Sequence, residues 1–146
     1  MRKILILSAV LTLFLGCAGS QGTKQNDQSR ILSNMIKCKM LGGETFVFDI
    51  ASYGPLADGM MAASVRTTHN DGGFFSSFNK YLVGGTKNFV FSSVNSVKLE
   101  AVVASSFLQL KGRNLSGVKV CLAGLEKSDE LSGLAKELGI ELSFIK

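Results

Sequence analysis

The sequence predicts a small single α/β domain with a mainly parallel sheet of about four strands and packed helices. Three observations point there. Short runs of strand composition, Phe46-Val47-Phe48, Phe89-Val90-Phe91, Val118–Ala123 and Ile140–Ile145, are bounded by glycine or polar residues. Stretches with helical spacing of apolar residues separate these runs, as crossovers between parallel strands require. The chain of 146 residues is long enough for one core and too short for two comfortable ones.

The chain opens with Met1-Arg2-Lys3, followed by an apolar run from Ile4 to Leu15 broken only by Ser8 and Thr12. A cationic start, an apolar core of this length and small Gly16 at its end read as a secretory signal. The core is shorter than the ~20 apolar residues of a spanning helix. Its end, Phe14-Leu15-Gly16-Cys17, resembles the lipobox of bacterial lipoprotein precursors, in which a small residue precedes a cysteine that is lipidated and becomes residue one. Gly16-Cys17 fits that box, whereas Phe14 and Leu15 stand where it usually has Leu and then Ala or Ser. The resemblance covers residues 1–17 only. It implies a signal peptide over 1–16, a lipid on Cys17 and, because Ala18 and not aspartate follows, the periplasmic face of the outer membrane. The alternative is ordinary secretion with Cys17 merely near the cleavage point.

Residues 17–28 read as the lipidated cysteine and a flexible tether, because Ala18–Gln28 has no apolar residue larger than alanine. The α/β domain then occupies 29–146. Ile31, Leu32, Met35, Ile36 and Met40 form the apolar side of a first helix over Arg30–Leu41, stopped by Gly42-Gly43. Gly42-Gly43 followed by Phe46-Val47-Phe48 reappears as Gly84-Gly85 followed by Phe89-Val90-Phe91, with a helix-compatible stretch after each copy, Leu56–Val65 and Val97–Lys111. Two such units suggest a doubled element; chance likeness of two buried strands is the other reading. Pro55 suits the first position of a helix. Phe74, Phe75, Phe78, Tyr81 and Leu82 have helical spacing, and a hairpin of Met60–Thr68 with Phe74–Val83 is the rival assignment.

The last third is clearer. Leu99, Val102, Val103, Ser106, Phe107 and Leu110 make one side of a helix capped by Asn95 or Ser96, with Lys98 placed away from that side. Ser128 caps a final helix with Asp129 and Glu130 in its first turn, Lys136 near its end and Gly139 as its stop.

Cysteine usage agrees with export. Of Cys17, Cys38 and Cys121, the first goes to lipid if the lipobox resemblance holds, which leaves an even pair in a compartment that permits oxidation. Cys38 near a helix end and Cys121 inside a strand suit a disulfide; two buried free thiols are the rival reading.

No catalytic constellation is legible. The single histidine, His69, lies in a polar turn and has no second histidine for a zinc site. The double glycines precede strands and lack the setting of a phosphate or dinucleotide loop. No metal and no cofactor is implied. The net charge of +5, which falls by two on loss of Arg2 and Lys3, is not gathered into a basic track, so no nucleic acid is expected. One possible small ligand site remains at the carboxyl ends of the strands, lined by Asp49, Ser92, Ser93 and Asn95. The same residue types also cap helices and end strands. The sequence reading is therefore a non-catalytic, lipid-anchored accessory or assembly lipoprotein with an envelope protein partner. A small periplasmic hydrolase or solute binder using those strand ends is the alternative.

Cys17→Ser should release the domain into the soluble periplasmic fraction or block processing, because it removes the lipid chains that anchor it. Fractionation of cells checks this, and a processed variant that stays on the membrane overturns the lipid assignment.

Overall fold

The computed structural model describes residues 21–39 and 44–146. The expectations for residues 1–16, Cys17 and Gly42-Gly43 lie outside the described residues. Chain order is α1 (Gln21–Lys37), β1 (Thr45–Asp49), α2 (Pro55–Thr68), α3 (Phe74–Val83), β2 (Asn88–Ser92), α4 (Ser96–Gln109), β3 (Lys119–Ala123), α5 (Asp129–Leu138) and β4 (Glu141–Ile145). The strands form one all-parallel sheet in the order β1-β2-β3-β4, as the α/β reading expects. The chain divides into Met1–Arg30 and Ile31–Lys146, and the second unit contains the sheet.

Two element boundaries differ from the sequence reading. Helix α1 begins at Gln21, inside the stretch read as a tether. Gln21, Lys24, Gln25 and Gln28 favour helix whereas Gly22, Thr23, Asn26 and Asp27 do not, so propensity alone does not account for helical backbone in a segment with nothing apolar to bury. The helix stops at Lys37, and Lys39 turns the chain with φ 52°. The rival hairpin does not form; its two halves are α2 and α3. Pro55 opens α2 as expected.

The two Phe-Val-Phe runs lie side by side, Phe46 beside Phe89, Val47 beside Val90 and Phe48 beside Phe91. Strand alternation sends the four phenylalanines to one face, where they join residues of α3, α4 and α5 in the main core. Phe78 of α3 stands edge-on between Phe89 and Phe91, with centroids 4.9 and 5.1 Å away. Phe74 and Tyr81, one turn either side of Phe78, pack on Phe48 and Phe46. Helix α4 is buried on nearly every side, because the sheet lies beneath it and α2, α3 and α5 all pack on it. Asn95 caps its start and Ser128 that of α5.

The opposite face carries Val47, Val90, Cys121, Ala123 and Ile145, and the C-terminal end of α1 covers it through Met35 and Cys38. Asn34 donates to the Ser92 hydroxyl at 3.0 Å. Cys38 and Cys121 form a disulfide with Cα atoms 5.9 Å apart, which rejects the free-thiol reading. At a sequence separation of 83, such a crosslink stabilises by roughly 4 kcal/mol in the chain-entropy model. The apolar side of α1 is narrower than its spacing suggests: Met35 and Cys38 turn inward, while Leu32 and Ile36 remain 57% and 53% exposed.

Glycine has opposite meanings at two positions. Gly124 leaves β3 with φ +103°, and a Cβ there would lie 2.2 Å from the Ser93 carbonyl oxygen. Gly59 sits inside α2 and faces open space. Gly124→Ala should cost about 2–4 kcal/mol from strain and overlap. Gly59→Ala should stabilise by about 0.5–1 kcal/mol. Urea unfolding of the two variants checks both signs.

Candidate functional site

The carboxyl ends of the strands carry the residues singled out in the sequence, but the fold gives them structural tasks. Asn95 accepts the Lys98 amide at 3.0 Å as the cap of α4. Its own amide donates to the Ser93 hydroxyl at 3.2 Å, and that hydroxyl donates to the Ile50 carbonyl at 2.9 Å. Ser92 is fully buried and accepts from Asn34 of α1. Asp49 stands at the exposed end of β1 and lines a cleft that the other three do not reach. The four do not converge on one polar site. Topology supplies a reason: the strands follow chain order, so there is no reversal at which an open α/β sheet forms a switch-point crevice.

A different pair dominates this end of the domain. Asp58 of α2 and Lys98 of α4 are 0% and 3% exposed, and Lys98 Nζ lies 3.3 Å from Asp58 Oδ1. Lys98 also donates to the Ala51 carbonyl and lies 4.6 Å from the centre of the Tyr53 ring. Asp58 accepts the Ser52 hydroxyl on Oδ2 and the Tyr53 amide, at 3.0 Å, on Oδ1. Every buried polar atom of this latch has a partner, as buried charges require. The latch ties residues 51–53 and the start of α2 to the first turn of α4. The Ser52 hydroxyl bond holds the Asp58 carboxyl below its usual range, with the Tyr53 amide next and Lys98 adding to both. The Ser52–Asp58–Lys98 cluster thus fastens the 51–53 segment and α2 to α4.

Sequence reasoning missed this pair. The available signal was Lys98 itself, because a cation in the first turn of a helix opposes the helix dipole and needs an anionic partner. The partner lies 40 residues away and is visible only once α2 lies on α4.

Beside the latch is a cleft of about 360 Å³ between the end of β1, α2, the 71–73 turn with the start of α3, and α4. Phe48, Ile50, Met61, Val65, Phe74 and Val102 form its apolar walls. Asp49 and Asp71 also line it. His69, exposed in the polar turn, closes α2 in the left-handed region at φ 55°, and its Nδ1 lies 3.3 Å from the Ser105 hydroxyl. Ser105 is 1% exposed within α4, so no substrate reaches it and the contact is structural. Among the described residues no group of three or more His, Cys, Asp or Glu is placed to hold a metal ion. No helix among them is long and apolar enough to cross a membrane.

The lowered Asp58 pKa has a definite consequence for stability. The unfolded carboxyl titrates near the ordinary ~3.9, so the unfolded chain binds the proton first as pH falls. The contribution of Asp58 is complete above that value and disappears as pH drops through the lower folded value. Urea midpoints between neutral and strongly acid pH should show a decline in that acid window, and Asp58→Asn should flatten it. Lys98→Met alone should destabilise more than Lys98→Met combined with Asp58→Asn, because the single change leaves a buried carboxylate unpaired.

No family model matches the chain, and no curated protein or solved structure matches it.

Proposed function

We propose that this chain is a lipid-anchored lipoprotein of the bacterial envelope, attached through Cys17 at the periplasmic face of the outer membrane. It acts without catalysis, as an accessory or assembly subunit that binds another envelope protein. The observation that carries this reading is the chemical contrast at the carboxyl end of the sheet. Ser93, Asn95, Asp58 and Lys98 are engaged in capping and latching. Around them, large apolar side chains face water: Tyr53, Leu56 and Met60 are 71%, 81% and 69% exposed, and Val94 and Val97 are exposed as well.

These five side chains belong to neighbouring turns. Tyr53, Leu56 and Met60 lie on the approach to α2 and its first turns, Val94 and Val97 at the start of α4. The Asp58–Lys98 bridge brings those turns together. Single exposed apolar residues are ordinary, whereas a group of them on a rigid support is the surface chemistry of a partner site. The Cys17 anchor and the apolar group make complementary demands: one keeps the domain at the membrane, and the other gives it something to hold.

A photocrosslinking amino acid placed at Leu56 or Met60 in the native host should give a discrete adduct of higher mass, and one at Lys136 on α5 should not. Leu56→Glu with Met60→Glu should reduce crosslinking from Tyr53 by about tenfold or more, the effect expected when central interface contacts are lost. Absence of any adduct from the three apolar positions overturns the reading.

A further inference from the structure

We infer that the cleft beside the latch seats one apolar side chain of the partner protein, and that a lysine or arginine adjoins that side chain in the partner's sequence. The inference rests on the proposed partner-binding function and names the chemistry of the segment bound.

Size and walls define the anchor. At about 360 Å³ the cleft lies at the small end of ligand-sized pockets, with room for one large side chain. Its apolar walls are Phe48, Ile50, Met61, Val65, Phe74 and Val102, which reward an aromatic or branched aliphatic group. Position fits the same role. Tyr53 and Met61 belong both to this lining and to the exposed apolar residues. The cleft is therefore continuous with the apolar surface, and an anchor seated in a pocket with apolar contacts around it is how interfaces concentrate their energy.

Charge defines the neighbour. The cation of the lining, Lys98, is 3% exposed and is matched by Asp58. Asp71 stands on the rim, oriented by the Gly73 amide at 3.2 Å on one oxygen and the Phe75 amide at 3.0 Å on the other. Each carboxylate oxygen keeps a second lone pair, and fixing the side chain in advance lowers the ordering cost of a new contact. An anchor followed by a carboxylate would meet like charge at Asp71, and one followed by a cation would meet its complement.

The test is an NMR titration of the full mature domain with N-acetyl-Phe-Lys-amide, N-acetyl-Phe-Gln-amide and N-acetyl-Phe-Glu-amide. The lysine peptide should bind tightest, with shifts centred on Phe48, Ile50, Met61, Phe74 and Val102. Asp71→Asn removes the charge while keeping one of the two acceptor oxygens for a turn amide. It should weaken the lysine peptide by about two- to fivefold, the range of an exposed ion pair, and leave the glutamine peptide unchanged. Ser77→Phe, which fills the cleft from an exposed lining position, should abolish binding of all three. Equal binding of the glutamate peptide, or shifts away from the cleft, overturns the inference. Phenethylammonium binding more than about tenfold tighter than the lysine peptide, a full factor of ten being ~1.4 kcal/mol, makes the cleft a small-ligand site and also overturns it. If crosslinking from Leu56 persists while no peptide binds the cleft, this inference falls and the proposed function stands.

Discussion

Four parallel strands laid down in chain order impose a constraint on which the rest of the domain depends. Crossovers of one hand, each advancing in the same direction across the sheet, return over the same face. The core divides accordingly: α3, α4 and α5 pack on the face of Phe89, Phe91, Val120 and Leu122, and none of them joins the cluster around Val90, Cys121 and Ala123. A sheet with one bare apolar face would not be stable in water. The segment before β1 supplies the missing cover, and Cys38–Cys121 fastens it. In this fold the disulfide compensates for a topology that sends its connections to one side.

The same constraint crowds the helical face. With α2 lying on α4, the domain has an extra layer there, and α4 becomes a buried helix instead of an amphipathic surface one. A charge on its inner side is then removed from water, whereas Glu100 stays partly exposed beside Arg66. Lys98 is the case in point, and its burial is tolerated because Asp58, the Ala51 carbonyl and the Tyr53 ring surround it. Paired in this way, the lysine also sets the path of residues 51–54. The cleft and the exposed apolar side chains at this end owe their arrangement to that path.

The chemistry of the strand ends follows from these demands. A hydroxyl or amide close to a helix start is worth most as a cap, and Asn95 and Ser128 are used in that way, with Ser93 holding the Asn95 amide. What this leaves at the surface beside β1 and α2 includes the apolar Tyr53, Leu56 and Met60, while Lys127 and Lys146 are exposed at the ends of β3 and β4.

The sequence by itself determined the elements and their class. Phe-Val-Phe between polar ends has strand composition at strand length; the stripe of Leu131, Leu134, Ala135 and Leu138 has helical period; Ser128 and Gly139 mark where that helix starts and stops. These are local properties, set by dihedral preference and by which side chains share a face. Cysteine usage made a Cys38–Cys121 bond one of two readings, and the structure chose it over buried free thiols. Only the tertiary structure decided that Leu32 and Ile36 stay in water while Met35 turns inward, that Lys98 is buried, and that Asp49, Ser92, Ser93 and Asn95 do not share a site. Each of these depends on which element lies across from which. Periodicity shows that a helix has an apolar side, but burial of a given residue depends on the width of the surface that meets it. Asp58 and Lys98 are 40 residues apart, and nothing local to either marks the other as its partner. They meet because strands in chain order stack α2 on α4.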